Sequence, residues 1–131
     1  MSGAAKPIHD GFVPGRHAIE GYGKGGFAFA RMSHRGSILA LPSGVHKWAA
    51  TVPSDITAAS LAALFAEPAG AVELLLVGTG DDLVPLSPEL RARLKQAGLR
   101  ADPMATAAAA RTYNVLLAED RRVAAALLAV A

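Results

Sequence analysis

The chain contains no cysteine, and this absence excludes several kinds of site at once. Without thiols there are no disulfides, no thiolate zinc sites and no cysteine nucleophile. Long hydrophobic runs are also missing: the apolar tail at residues 123–131 is far shorter than the ~20 residues that a helix needs to cross a bilayer. We therefore expect no membrane span, and the missing cysteines fit a reducing compartment such as the cytoplasm.

An excess of charge is lacking as well. The net charge is only +2, without the dense basic stripe that is typical of nucleic-acid binding, so we predict no nucleic-acid partner. The N-terminal region lacks the uninterrupted apolar stretch of a signal peptide. We predict that residues 1–16 are a flexible tail and that residues 17–131 form a single α/β domain.

The most informative stretch is the apolar run at residues 72–77, which is followed by Gly78, Thr79 and Gly80. A continuous apolar run without alternation is typical of a strand that is covered on both faces of a sheet. Glycine marks turns, so the run should end at Gly78. We therefore predict a buried central strand here.

A helix and a second strand should follow this run. Ser87 supplies an N-cap, and Pro88 suits the first helical position. Gly98 can end the helix in a left-handed conformation. With a short strand at residues 99–102, residues 72–102 form a strand-helix-strand unit, for which we expect a right-handed crossover.

The first half of the chain predicts an N-terminal β-hairpin region. Strand-like segments alternate there with glycine-rich or polar turns. The strands are expected at residues 18–22, 27–31, 37–41 and 45–48, and the turns at residues 23–26 and 33–36. Phe27, Phe29 and Arg31 should then lie on one face of their strand.

Two helices and a last strand complete the prediction. Apolar residues recur at helical spacing over residues 58–66 and 109–117. The alanine-rich segment at residues 123–130 fits either a strand or a short helix. We favour a strand, because a helix precedes the segment and the chain would then return to the sheet.

Residues 21–26 match the glycine spacing of a dinucleotide-binding fingerprint. That fingerprint works because its glycines place a pyrophosphate on the N-terminus of a helix. Here Phe27 and the residues after it have the pattern of a strand, so no helix follows. We interpret residues 21–26 as a turn between strands that binds no dinucleotide, and we predict no cofactor.

Gly78, Thr79 and Gly80 are a second candidate site, since ligands of open α/β sheets bind at the carboxyl ends of strands. Backbone amides in such a turn and the Thr79 hydroxyl can hold an anion, but Asp81 and Asp82 would repel one. The alternative is a tight turn that requires the dihedral angles of glycine. The sequence leaves both interpretations open and favours the turn.

The remaining polar side chains give no recognisable catalytic set and no metal site. The histidines are scattered along the sequence, at His9, His17, His34 and His46. Arg111 and Asn114 are a better pair, because residues three apart on a helix can reach one ligand or one partner carboxylate. The alternative is that they fix the helix through bonds to the backbone.

Several short motifs occur in a characteristic order over about residues 19–128. They are Gly21-Tyr22-Gly23 with Gly25-Gly26-Phe27, His34-Arg35-Gly36-Ser37, Trp48, residues 75–80, Met104 with Thr106, and residues 111–119 and 121–127. In this order and spacing they resemble the family of mitochondrial complex I assembly factor 3 and the adipogenesis-associated domain proteins, which includes uncharacterised bacterial and archaeal members.

This resemblance implies a three-layer α/β domain with a central mixed sheet. It also implies a role in assembling NADH:ubiquinone oxidoreductase, or complex I, and it implies no catalytic residue. Two positions depart from the family: Ala105 stands where an acidic residue is common, and Asp120 stands where glycine is common. The first departure argues against an acid or base at position 105.

We therefore interpret the chain as a binding or assembly module without turnover of its own, and subunits of a respiratory complex are the candidate protein partners. The residues predicted to bind the partner are Gly78, Thr79, Gly80, Arg111 and Asn114. The alternative is a small-ligand protein or an enzyme that uses a pocket between the Gly78 turn and the helix of Arg111. The sequence leaves the oligomeric state open.

Overall fold

A computed structural model describes residues 11–131, which form strands, α-helices and 3₁₀ segments. The strands are β1 (Phe12–Pro14), β2 (Ile19–Gly23), β3 (Gly26–Phe29), β4 (Met32–Arg35), β5 (Ser37–Leu41), β6 (Gly44–Trp48), β7 (Leu74–Gly78), β8 (Arg100–Met104) and β9 (Val123–Leu127). The helices are α1 (Ala62–Phe65), α2 (Pro88–Gln96) and α3 (Thr106–Ala118), and the 3₁₀ segments are Pro53–Asp55 and Ala59–Leu61.

Two sheets are formed. The larger sheet has the strand order β1-β6-β5-β9-β7-β8, and β2, β3 and β4 form a separate antiparallel sheet, called the small sheet below. β7 runs parallel to both of its neighbours, whereas β9 pairs antiparallel with β5. The mixed sheet is therefore confirmed. β7 is fifth in the order, so β5 and β9 occupy the middle of the sheet, where we had expected β7.

β7 is buried on both faces, as its apolar run predicted. Leu75, Leu76 and Val77 are each at most 1% exposed. Leu75 and Val77 point into a core that they share with α1 and α2, while Leu76 packs into a second core with α3 and the small sheet. The larger sheet thus lies between two layers, and the three-layer arrangement is confirmed.

The predicted strand-helix-strand unit is present, with both of its helix boundaries. The Leu90 N–H donates to Ser87 Oγ at 3.2 Å, so Ser87 is the N-cap of α2 and Pro88 is its first residue. After the helix, Gly98 adopts a φ of +74°. The chain then enters β8, which pairs parallel with β7. Capping residues and glycine were sufficient to place this unit.

The predicted turn at residues 33–36 is wrong, because β4 occupies this segment. The turn lies earlier, at Ala30 and Arg31, whose φ angles are +51° and +60°. Hairpin turns with positive φ at both central residues usually contain Asn or Gly, so this pair gave no recognisable signal. Arg31 is exposed in the turn, and only Phe27 and Phe29 share the buried face.

Three other segments bear on the sequence predictions. Residues 58–66 form a 3₁₀ segment and the short helix α1, where we expected one continuous helix. Residues 12–14, which we placed in the tail, pair with β6 as the edge strand β1, and residues 1–10 lie outside the described part of the chain. The last segment is a strand, as we favoured: all of β9 is buried between β5 and β7.

Both departures from the family pattern lie at the ends of α3. Ala105 is the N-cap of this helix and makes no side-chain capping bond. An acidic residue at an N-cap accepts hydrogen bonds from the first turn, which explains such a residue without any catalytic role. Asp120 follows the helix with a φ of +60°, a conformation that favours glycine. Both positions therefore have structural explanations.

Candidate functional site

The turn of Gly78, Thr79 and Gly80 leaves the carboxyl end of β7 and is held by internal hydrogen bonds. The Thr79 N–H donates to the Met104 carbonyl at 2.9 Å, and the Gly80 N–H donates to Thr106 Oγ1 at 3.0 Å. The amides of Thr79 and Gly80 are therefore already used. The anion site considered from the sequence would need these donors, so the geometry favours the structural turn.

The Thr79 side chain is also used inside the domain, where it is only 3% exposed. Its hydroxyl donates to the Asp82 carbonyl at 2.6 Å and accepts the Val84 N–H at 2.9 Å. These bonds shape the loop between β7 and α2. A hydroxyl with its proton and a lone pair committed in this way is poorly placed to act as a nucleophile.

Thr106, the first residue of α3, completes this arrangement. Its buried hydroxyl donates to the Leu128 carbonyl at 2.8 Å while it accepts the Gly80 N–H. A Cβ added to Gly78 would lie 2.9 Å from Thr106 Cα, so only glycine allows α3 to approach β7 this closely. Sequence reasoning gave Thr106 no role of its own, although the motif of Met104 with Thr106 was a signal for it.

Asn114 is half-buried and joins α3 to the small sheet. Its Oδ1 accepts the Ile19 N–H at 2.8 Å, and its Nδ2 donates to the Ile19 carbonyl at 2.8 Å. Both ends of the amide are therefore paired with one backbone unit of β2. The alternative considered from the sequence was a bond from Asn114 that fixes the helix through its backbone. Asn114 does bond to backbone, but that backbone belongs to β2, 95 residues away in the chain.

Arg111 is exposed on the same helix, and its Nη1 donates to the Tyr22 hydroxyl at 3.2 Å. Tyr22 itself is 42% exposed, and Val115, one helical turn beyond Arg111, is 57% exposed. Arginine and tyrosine are enriched at protein interfaces, and here one orders the other before any partner binds. We call Tyr22, Arg111 and Val115 the α3 patch.

The structure does not bring all the predicted site residues together. Two cavities have Thr79 in their walls, and neither includes Arg111 or Asn114. The larger of the two has a volume of about 450 Å³ and lies between Pro53–Asp55 and the loop that follows Thr79. Its walls include Ile56, Val84 and Leu86. The predicted site therefore divides into a cavity at the end of β7 and the α3 patch.

A third polar group was not singled out from the sequence. Within residues 11–131, His46 Nε2 is a buried side-chain nitrogen without a hydrogen-bond partner, and it lies in a cavity of about 240 Å³ beside Ser43 and Glu67. Burial lowers the pKa of His46 from its ordinary value of 6.5, and the Glu67 carboxylate opposes this. Ser43 Oγ donates to Glu67 at 2.5 Å, so the three residues lack the serine-to-histidine bond of a nucleophilic triad.

The pKa values of three other groups are shifted by their surroundings in the fold. Burial raises the pKa of Tyr113 to about 12, so its phenol stays protonated at neutral pH. Hydrogen bonds from Arg121, with help from Arg122, lower the pKa of Glu73 and tie the start of β7 to the start of β9. Backbone hydrogen bonds from Thr51 lower the pKa of Asp55 in the same manner. None of these three groups is poised near neutral pH for acid or base catalysis.

Neither a metal-binding cluster nor a membrane-spanning helix occurs among the described residues. Residues 11–131 contain no group of three or more His, Asp or Glu side chains that could hold a metal ion. Over the same part of the chain, no helix has the length and apolar character required to cross a membrane.

Comparison with known proteins places these features in a family. Residues 19–128 match the family described as "Protein of unknown function (DUF498/DUF598)". An uncharacterised protein of Rhodobacter capsulatus is 46% identical over 93% of this chain and 91% of its own. NADH dehydrogenase [ubiquinone] 1 alpha subcomplex assembly factor 3 of Xenopus tropicalis is 34% identical over 84% of this chain. The match spans 60% of that assembly factor's length.

Solved structures of similar proteins have the same fold as this chain. A protein from Bartonella henselae described as an outer membrane protein superposes with a TM-score of 0.86 at 49% identity, covering 90% of this chain and 98% of the other. A Bordetella pertussis protein described as an Mth938-like domain superposes with a TM-score of 0.74 at 34% identity, covering 94% and 92%. By sequence and by fold, the chain belongs to the DUF498/DUF598 family, and NADH dehydrogenase [ubiquinone] 1 alpha subcomplex assembly factor 3 is among its relatives.

Proposed function

We propose that this protein is a non-catalytic binding module that assists the assembly of NADH dehydrogenase. Relatives that are 34%, 31% and 32% identical to the chain are named as assembly factors for this enzyme. They are longer than the chain, so the assembly role is carried over only for the shared domain. The partner of this domain is a subunit of NADH dehydrogenase.

The α3 patch is the observation that carries the proposal. The polar side chains of Thr79, Thr106 and Asn114 are hydrogen-bonded to the backbone. By contrast, the α3 patch presents polar and apolar surface to solvent through Arg111, Tyr22 and Val115. Guanidinium and phenol groups surrounded by apolar side chains form the centre of many protein interfaces. The other residues that we predicted to bind the partner are Gly78, Thr79, Gly80 and Asn114. In the proposal they position α3, since Gly80 bonds to Thr106 at the start of the helix and Asn114 bonds to Ile19.

The proposal is tested by placing negative charge in the α3 patch while the buried residues beneath it stay unchanged. In a bacterium that assembles NADH dehydrogenase and carries a relative of this protein, the relative is replaced by this chain with Arg111→Glu and Val115→Glu. Both side chains are exposed, so the free energy of unfolding should change by no more than about 0.5 kcal/mol for each. Co-purified NADH dehydrogenase subunits and assembled enzyme should both fall several-fold.

Arg91→Glu is the matched control, because Arg91 is an exposed arginine on α2, in the opposite layer of the domain. It repeats the arginine-to-glutamate reversal away from the α3 patch and should leave assembly at the wild-type level. Wild-type recovery of subunits by the folded Arg111 and Val115 variant would contradict the proposed surface.

A second candidate function is small-ligand binding in the cavity of about 450 Å³ at the carboxyl end of β7. Its position supports this candidate, since ligands of α/β sheets bind outside the carboxyl ends of parallel strands. Val84→Trp would fill part of the cavity. Turnover or binding of a metabolite that is abolished by Val84→Trp, and unaffected by Arg111→Glu, would favour this function over the assembly module.

A cytoplasmic location is part of the proposal. The missing cysteines fit this location, while one related structure is described as an outer membrane protein. Fractionation of the host with an antibody against the protein separates these locations. Recovery in the outer-membrane fraction would contradict the cytoplasmic location.

A further inference from the structure

The outward face of the small sheet is almost free of large side chains. Strand register places Gly21, Ala28 and Ser33 in one row across β2, β3 and β4 and places Gly23, Gly26 and Arg35 in a second row. Phe27 and Phe29 occupy the alternate positions and are buried on the other face. Five of these six residues are Gly, Ala or Ser, so few large side chains stand above this face. Gly26 is itself buried, and a Cβ there would clash with the His34 carbonyl.

A cavity of about 580 Å³ covers this face, and residues of all three strands line it together with Lys24. We call it the small-sheet cleft. Residues 21–26 form one end of the cleft, where Lys24 and Gly25 are the turn between β2 and β3. A strand follows them, and they lack the helix N-terminus that a pyrophosphate site requires.

β4 is an edge strand with backbone groups directed away from the sheet. Among residues 11–131 it pairs with β3 alone, and the pair Phe29 and Met32 lies next to a two-residue turn. In such a hairpin the pair beside the turn is hydrogen-bonded, and hydrogen-bonded and open pairs alternate from there. Ser33 and Arg35 fall at the open positions, so their N–H and C=O groups point outward along the edge. An extended peptide can pair with such an edge.

The charged side chains that line the cleft, Lys24 and Arg35, are both positive. Residues 21–36 contain no Asp or Glu, but they contain Lys24, Arg31 and Arg35. The preceding acid, Glu20, accepts a hydrogen bond from the Arg31 N–H at 3.2 Å, at the opposite end of the small sheet from Lys24. Lys24 and Arg35 therefore give their end of the cleft a positive potential that matches carboxylates.

We propose that β4 and the small-sheet cleft bind an extended acidic segment of a partner protein by strand addition. The backbone of the segment pairs with Ser33 and Arg35, its alternate side chains lie over the glycine and alanine floor, and its carboxylates meet Arg35 and Lys24. This inference rests on the proposed function as a protein-binding module. It adds the edge of the small sheet to the α3 patch, and Tyr22 borders both the cleft and the patch.

The probe is a synthetic peptide of four Glu-Val repeats, titrated into the ¹⁵N-labelled full chain and followed by NMR. The backbone amides of Ser33 and Arg35 should shift in a saturable manner and should exchange with solvent more slowly in the complex, because the peptide takes their hydrogen bonds. The affinity should fall as salt is added. A peptide of four Lys-Val repeats has the same length and β-propensity and should bind at least about tenfold more weakly.

The variant Lys24→Glu with Arg35→Glu should weaken binding of the acidic peptide at least about tenfold. Its matched control is Arg91→Glu with Lys95→Glu, which reverses one arginine and one lysine on the exposed face of α2 and should leave the affinity unchanged. Thermal melting checks that both double variants remain folded. Because the NMR measurement uses the wild-type chain, a folding failure of either variant leaves that result standing.

Several outcomes would overturn strand addition. They are equal binding of both peptides, shifts centred on β8, shifts at Lys24 without protection of the Ser33 and Arg35 amides, and tighter binding to phosphatidylglycerol vesicles than to the peptide. If the peptide fails to bind while the Arg111 and Val115 variant still blocks assembly, only this inference fails. If the peptide binds while that variant assembles the enzyme normally, the α3 patch is the part that fails.

Discussion

The half of the chain that contains the parallel strands and the half that contains the small sheet use the same residue types for opposite purposes. In the first, Gly78 lets α3 approach β7, and the Thr106 hydroxyl bonds to the Gly80 N–H and the Leu128 carbonyl. In the second, Gly21 belongs to a face that is left open to solvent. Glycine next to a buried helix therefore tightens a fold, whereas glycine on an outward sheet face creates accessible space.

The first test of this comparison is the stability of the parallel half. Leu75→Ala removes a fully buried side chain from β7 and should lower the free energy of unfolding by about 2–5 kcal/mol. Chemical denaturation measures it. Ser33→Ala, on the open face, is the contrasting change and should alter stability by less than about 0.5 kcal/mol. A loss below about 1 kcal/mol for Leu75→Ala would mean that β7 does not anchor the domain.

The second test concerns the threonine that closes the turn. Thr106→Val keeps the shape of the side chain but leaves the Gly80 N–H and the Leu128 carbonyl without their partner, so it should cost about 1–3 kcal/mol. Thr112→Val is the control, since Thr112 lies on the same helix and is only partly buried. Equal melting temperatures for the two variants would show that the Thr106 hydroxyl does not hold the turn.

The third test concerns the hydrogen bonds between Asn114 and Ile19, which join α3 to the small sheet. Asn114→Ala removes both hydrogen bonds to Ile19 and should cost about 1–2 kcal/mol. Because Ile19 belongs to β2, amide exchange should accelerate more in β2 and β3 than in β7 and β9. Hydrogen exchange followed by NMR measures this pattern, with Val115→Ala as the exposed control on the same helix. Equal acceleration of amide exchange in both halves would show that these two hydrogen bonds do not hold the small sheet specifically.

The smallest expected effect is the pH dependence caused by His46. Its folded-state pKa lies below 6.5, so the unfolded chain binds a proton more readily, and stability should decline as the pH falls from about 7 toward 5. In His46→Gln this part of the decline should vanish. Denaturation midpoints at several pH values measure it, and parallel pH profiles for the two proteins would show that His46 does not titrate differently on folding.

Local sequence patterns were sufficient to predict much of the fold. Ser87, Pro88 and Gly98 placed both ends of α2, because caps and helix-ending glycines act over only a few residues. The buried run of β7 and the strand at the end of the chain were also readable from composition. The turn at Ala30 and Arg31 was not, since neither residue favours positive φ and tertiary pairing imposed the conformation.

The candidate site was less predictable than the fold. Arg111 is exposed, as a partner-binding residue must be, but Asn114 pairs with Ile19, which is 95 residues away in the sequence. Thr106 bonds to Leu128, 22 residues away, and Thr79 is enclosed by the loop that it shapes. A sequence pattern shows that a side chain is polar, and it does not show whether a distant backbone group will use that polarity.

By itself, then, the sequence determined the strand-helix-strand unit, the strands on either side of the glycine-rich turn at residues 23–26, and the resemblance to one family. Each of these depends on periodicity, capping or motif order within short segments. The tertiary structure alone decided the strand order, the partners of Thr79 and Asn114, and the cleft over the small sheet. The physical reason is that strand pairing and buried hydrogen bonds join residues far apart in the chain, where the packing of the whole domain selects the partner.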